Sequence, residues 1–132
     1  MKQVLIVEDD LLIADMVADV LQGEGFGVCG IARTVEEALA LAAQHRPKLA
    51  IVDVNLAKGG RGTSVASILI DKYKTGILYT TGSQASLSNA PGQAFLLKPF
   101  RLQDVEPALN VVAELAEKGI SSRPLPPNLT IL

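Results

Sequence analysis

Short, unbroken apolar runs alternate with amphipathic segments along this 132-residue chain. Such runs are typical of strands that are buried on both faces of a parallel sheet, and they lie at 4–7, 28–31, 49–52, 76–80 and 94–97. Between them, apolar residues recur with helical spacing at about 11–21, 34–45, 63–73 and 104–118. Strands that alternate with helices predict an α/β domain with a parallel sheet and right-handed crossovers.

Two segments depart from this alternation. Residues 83–93, between the fourth and fifth strands, are polar and contain Pro91 and Gly92, which leaves room for two helical turns at most. We therefore expect the helix at this position to be short or unwound. After a domain that spans 1–118, three prolines and no periodicity predict an extended or disordered tail at 119–132. A docking role for its Pro-Leu-Pro-Pro run is the less favoured interpretation.

Composition excludes several classes of protein. Twelve Lys and Arg against fourteen Asp and Glu give a net charge of −2, which lacks the basic field of a nucleic-acid-binding protein. There is no run of eighteen apolar residues and no secretory signal, so we expect no membrane partner. Cys29 is the single cysteine, which excludes an internal disulfide and leaves too few ligands for zinc. These features predict a soluble cytoplasmic domain.

Charged and hydroxyl side chains follow four of the predicted strands. Glu8 and Asp9 come after the first, Asp53 after the third, Thr81 after the fourth and Lys98 after the fifth. Because ligands of parallel sheets bind outside the carboxyl ends of the strands, we expect these side chains to converge. Packed carboxylates destabilise an empty site, so Lys98 and a hard divalent cation such as Mg²⁺ are expected to balance them.

An aspartate beside a metal ion and a lysine can act as a nucleophile and form an aspartyl phosphate. Phosphoryl transfer needs mainly in-line positioning and neutralisation of the transferring oxygens. Lys98 and Mg²⁺ would neutralise that charge, and the Thr81 hydroxyl would hydrogen-bond a phosphoryl oxygen.

Four short motifs together resemble the response-regulator receiver domain of two-component signalling, namely LIVEDD at 5–10, IVDVNL at 51–56, TG at 81–82 and LKPF at 97–100. The resemblance extends from residue 2 to about residue 118. It implies a flavodoxin-like, doubly wound sheet of five parallel strands in the order 2-1-3-4-5. It also implies that Asp53 accepts a phosphoryl group from a histidine kinase or a histidine phosphotransfer protein.

The same resemblance implies roles for the remaining site residues. Asp9 would ligate Mg²⁺ directly, Glu8 would help through water, and Asn55 would supply its backbone carbonyl. Thr81 and Lys98 would be the switch hydroxyl and the phosphate-binding ammonium. The aromatic switch position, where many members of the family carry Tyr, would be Phe95 in this chain.

These observations favour a stand-alone phospho-accepting switch with output by protein–protein contact, and not a turnover enzyme. Three alternatives stay open. A small phosphatase would share the nucleophile, metal and lysine, but such enzymes usually have a second catalytic acid two residues after the nucleophile, where this chain has Asn55. The others are a receiver-like interaction module that works without phosphate, and a receiver fragment of a longer DNA-binding regulator.

Arg61 lies near enough to Asp53 to influence access of a donor.

Overall fold

Six strands form a single sheet in the computed structural model, which describes residues 2–132. They are β1 (Gln3–Val7), β2 (Gly27–Ala32), β3 (Leu49–Asp53), β4 (Gly76–Thr81), β5 (Ala94–Leu97) and β6 (Leu129–Ile131). The order in the sheet is β2-β1-β3-β4-β5-β6, with the first five strands parallel and β6 antiparallel to β5. The predicted flavodoxin-like order of the five parallel strands is confirmed, and the sixth strand is an addition to it.

Two helical layers cover the sheet, and the period-2 geometry of its strands supplies an apolar face to each. The helices are α1 (Leu11–Gly23), α2 (Val35–His45), α3 (Gly62–Tyr73) and α4 (Val105–Lys118). Val4 and Ile6 face the core formed with α1 and α4, whereas Leu5 and Val7 face the core formed with α2 and α3. Among residues 2–132, no helix has both the length and the apolar character required to cross a membrane.

The connection between β4 and β5 is abbreviated, as the polar segment at 83–93 predicts. A single 3₁₀ turn at Gln84–Leu87 replaces a full helix. Leu87 is buried and attaches this turn to the α2–α3 side of the sheet. The Tyr79 hydroxyl donates a hydrogen bond to the carbonyl of Pro91, which holds the second half of the connection against β4.

The C-terminal tail extends along the domain, and its last residues form strand β6. Strand β6 pairs with the outer edge of β5, and its Leu129 is buried with the side chains of α1 and α4. The Leu97 N–H donates to the Asn128 carbonyl and the Leu132 N–H donates to the Gln93 carbonyl, both at 2.9 Å. An edge strand offers unpaired backbone groups, and these provide the tail with partners that its own sequence pattern does not reveal.

Candidate functional site

Three carboxylates converge at the carboxyl ends of two neighbouring strands, β1 and β3. Glu8 and Asp9 follow β1, and Asp53 is the last residue of the neighbouring β3. One carboxylate oxygen from each of the three lies within 4.8 Å of the others. Glu8 and Asp53 are buried and Asp9 is half-buried. A set of hard oxygen donors at this spacing fits Mg²⁺, which takes few carboxylates and keeps several waters.

Lys98 supplies a positive charge to this cluster from the loop after β5. Its Nζ lies 3.3 Å from Asp53 Oδ2 and 3.7 Å from Glu8 Oε1. The side chain reaches over β4, which lies between β3 and β5, while the Lys98 N–H donates to the Thr81 carbonyl at 2.7 Å. One ammonium faces three carboxylates here, and a bound divalent cation would remove the deficit of positive charge.

The carboxyl group of Glu8 is the most strongly perturbed acid of this cluster. Its pKa is raised from 4.5 to about 7, mainly because the group is buried and also because of the negative charge of Asp53. The Asp10 N–H, which donates to Glu8 Oε2 at 3.1 Å, and the Lys98 ammonium act in the opposite direction. The pKa of Glu8 is therefore strongly raised at its position beside Asp53, and perturbed pKa values of this kind are common at functional sites.

The third of the consecutive acids has a different position. Asp10 is exposed, and its Oδ1 accepts hydrogen bonds from the Leu12 and Ile13 N–H groups at 3.1 and 3.3 Å. This geometry caps the N-terminus of α1. Of the run at 8–10, the first two residues join the acidic cluster and the last begins the helix.

The loop after Asp53 folds tightly against that residue. The Asn55 N–H donates to Asp53 Oδ1 at 3.3 Å, and Asn55 and Arg61 form an isolated antiparallel bridge that closes the loop. At Gly62, a Cβ atom would lie 2.1 Å from the Asp53 carbonyl oxygen, so only glycine permits this approach. The sequence alone does not identify Gly62 as part of the site, because the contact depends on the path of the loop in space.

An open depression of about 350 Å³ adjoins this loop. Asn55 and Arg61 line one side, and Ala85 and Ser86 of the abbreviated β4–β5 connection line the other. The exposed Arg61 is therefore at the rim of an approach to the loop that follows Asp53. This placement agrees with the expectation that Arg61 influences donor access, which stays a prediction.

Thr81 and Phe95, the two residues assigned to switching, are both buried. The Thr81 hydroxyl donates to the Ser83 carbonyl and accepts from the Ser83 N–H, each at 3.1 Å. Phe95 lies in register with Tyr79 of β4, in the core shared with α2 and α3. The structure thus brings Glu8, Asp9, Asp53 and Lys98 together, while Thr81 is hydrogen-bonded to Ser83.

This arrangement of strand ends has clear relatives among known proteins. Residues 4–110 match the family model described as the response regulator receiver domain. The chain belongs to this family. The receiver is 32% identical over 114 residues to the transcriptional regulatory protein PdtaR of Mycobacterium tuberculosis, a match covering 83% of this chain and 56% of PdtaR. It is 31% identical over 112 residues to the phyllosphere-induced regulator PhyR of Methylorubrum extorquens, which covers 82% and 42% respectively.

The receiver therefore spans about half the length of the curated relatives it matches. Its fold is shared with solved receivers of similar size. A CheY-like response regulator receiver from Methanospirillum hungatei superposes with a TM-score of 0.79 at 27% identity, covering 91% of this chain and 99% of that one. The receiver family consists of signalling switches, and this places the acidic cluster in the context of two-component systems.

Proposed function

We propose that this receiver is a phospho-accepting switch of a two-component or phosphorelay system, phosphorylated on Asp53 in a Mg²⁺-dependent reaction. The observation that carries the proposal is the surroundings of the Asp53 carboxylate. One of its oxygens accepts from the Asn55 N–H, the other lies 3.3 Å from the Lys98 ammonium, and Glu8 and Asp9 complete an oxygen cluster beside it. A nucleophile, a counter-charge and a metal-binding set therefore meet at one strand end.

In the proposed reaction, an Asp53 carboxylate oxygen forms a bond to phosphorus while the bond from phosphorus to the donor breaks. The donor, a histidine kinase or a histidine phosphotransfer protein, keeps the electron pair of that bond. Lys98 pairs with a phosphoryl oxygen, exchanging part of its contact with Asp53 for the new negative charge. Glu8, Asp9, Asp53 and the Asn55 carbonyl would hold Mg²⁺, which when bound supplies further positive charge to the phosphoryl oxygens.

We assign the switching step to Thr81 and Phe95. The Thr81 hydroxyl would leave Ser83 and hydrogen-bond the phosphoryl group, because that group offers a charged acceptor in place of a neutral carbonyl. The shift of Thr81 would change packing along β4 and β5, where Phe95 is buried. Output would follow from contact with a downstream protein in the cytoplasm, with no direct binding to nucleic acid or membrane.

The test is the intact mass of the protein after incubation with a small phosphodonor, with and without Mg²⁺. We expect one added phosphoryl group in the wild type that requires Mg²⁺, and none in Asp53→Asn. The matched control is Asp10→Asn, which alters a neighbouring acid while keeping a residue suited to capping α1. An adduct that persists in Asp53→Asn would contradict the assignment. No adduct in the wild type, together with no beryllofluoride binding, would favour a module that works without phosphate.

A further inference from the structure

The C-terminal segment, defined as residues 119–132, is attached to the domain at both ends. At its beginning, Arg123 Nε lies 2.8 Å from Glu114 Oε2 of α4, and the Ser121 hydroxyl donates to the other oxygen of Glu114 at 2.9 Å. At its end, β6 pairs with β5 and buries Leu129. The segment thus crosses from the last helix to the strand that leads into Lys98.

Asn128 contacts the backbone on both sides of Lys98. Its carbonyl accepts from the Leu97 N–H at 2.9 Å, and its side-chain Nδ2 donates to the Pro99 carbonyl at 3.2 Å. Lys98 itself is held from the opposite side, since its N–H donates to the Thr81 carbonyl at 2.7 Å. The backbone that carries the ammonium is therefore fixed between the switch threonine on β4 and one residue of the C-terminal segment.

We propose that the C-terminal segment is part of the phosphoryl switch, with Asn128 as a positioning residue for Lys98. This proposal rests on the proposed function of Asp53 and Lys98. The Lys98 side chain is long and flexible, so the placement of its Nζ depends on how firmly the backbone at 97–99 is held. Release of Asn128 removes two hydrogen bonds from that backbone and lets the ammonium leave the acceptor site.

Coupling of this kind acts in both directions. If a docked C-terminal segment favours a charged group on Asp53, then a charged group on Asp53 must favour docking by the same factor. Strand β6 has only three residues, and Asn128 and Pro99 are exposed, so we expect docking to belong to the less stable part of the structure. A modest change at the acceptor site can then shift the docking equilibrium measurably.

The first arm of the test measures amide hydrogen exchange with and without beryllofluoride and Mg²⁺. Beryllofluoride occupies the place of a phosphoryl group on the acceptor carboxylate. We expect slower exchange at two amides. The Leu97 amide donates to Asn128 of the C-terminal segment, and the Leu132 amide of that segment donates to Gln93. This effect should be lost in Lys98→Met. Unchanged exchange at both amides in a protein that binds beryllofluoride would overturn the coupling.

The second arm compares rates of phosphorylation and Mg²⁺ affinity in Asn128→Gly. Asn128 has φ 67°, a conformation that glycine adopts readily, so this variant keeps the backbone acceptor and loses the side-chain donor. We expect phosphorylation to slow by about threefold to tenfold, the range of one net hydrogen bond, with unchanged Mg²⁺ affinity. Thr130→Ala, at an exposed position of β6, is the control that should behave as the wild type.

A double-mutant cycle with Lys98→Met separates positioning from a general loss of structure. Asn128→Gly should have no further effect once Lys98 is absent, because it acts through that side chain. An equal slowing in both backgrounds, or no slowing in either, would refute the role of Asn128. If the wild type itself takes no phosphoryl group and no beryllofluoride, the proposed function fails and this proposal fails with it.

Discussion

The charged side chains at the two ends of the sheet differ in their exposure to water and in their pairing. At the amino end, Lys2 directly precedes β1 and Lys48 directly precedes β3, around an open pocket of about 510 Å³ that also includes Lys74. The Lys2 ammonium lies 3.2 Å from the Glu117 carboxylate, and these side chains are 44% and 60% exposed. The helices end on this side, so lysines here also complement the negative ends of the helix dipoles.

At the carboxyl end, like charges are packed together and removed from water. Glu8 and Asp53 are each only 6% exposed, and both must share Lys98. Exposed ion pairs contribute little to stability, whereas buried like charges oppose it. This chain therefore carries an electrostatic penalty at one end only, and binding of a cation there would offset it.

We expect the largest difference in stability between the two ends when one methyl group is added at a glycine of each end. Gly62→Ala places a Cβ atom against the Asp53 carbonyl, where the backbone must move, and should lower the free energy of unfolding by about 3 kcal/mol or more. Gly23→Ala, at the end of α1, meets no atom within 4 Å and should be neutral or stabilise by about 0.5–1 kcal/mol. Urea titrations measure both; equal stabilities would contradict the close approach at Gly62.

The sequence predicts well which side chains meet at the carboxyl end of the sheet, because their placement follows from the topology of the strands. Apolar runs that end in Glu8, Asp53 or Lys98 specify parallel strands, and parallel strands necessarily bring their carboxyl ends to one edge. Relative placement of these side chains thus follows once the strands are recognised. The confirmed order of the five parallel strands has the same origin.

Other features depend on contacts that no local pattern encodes. Strand β6 has three residues and exists through pairing with β5 and burial of Leu129. The prolines that precede it predict only an extended or disordered tail. The Thr81 hydroxyl is bonded to Ser83 because of the local turn, although its position in sequence indicates only that it ends β4. Gly62 is required by a loop that folds back on Asp53, and glycine-rich composition alone does not distinguish close approach from flexibility.

The two ends of the sheet should also differ in how their acids affect the free energy of unfolding as the pH changes. We expect this effect to be of intermediate size. Between pH 4.5 and about 7, folded metal-free protein keeps a proton on Glu8 that the unfolded chain has lost, because the folded pKa is raised. The folded state binds more protons in this window, so its stability falls as pH rises. The penalty reaches its full value above pH 7 and is about 1–3 kcal/mol.

Glu8→Gln should remove this contribution, which is measured as the difference between wild-type and variant unfolding free energies at each pH in the presence of a chelator. Glu117→Gln is the matched control from the amino end. Because its ion pair is exposed, that substitution should change stability by less than about 1 kcal/mol and leave the wild-type pH profile in place. The same slope in Glu8→Gln as in the wild type would show that Glu8 does not carry the penalty.

The smallest expected effect is the gain in stability from the metal itself. At ten times its Kd, Mg²⁺ should raise the free energy of unfolding by about 1.4 kcal/mol, because it binds the folded carboxylate cluster and not the dispersed unfolded chain. Asp9→Asn should reduce this gain while making the metal-free protein no less stable, since one of three like charges is lost. Asp10→Asn keeps the cap of α1 and should retain the full gain. Thermal unfolding with and without Mg²⁺ compares the pair, and an undiminished response in Asp9→Asn would exclude Asp9 as a ligand and leave Glu8 and Asp53 to hold the ion.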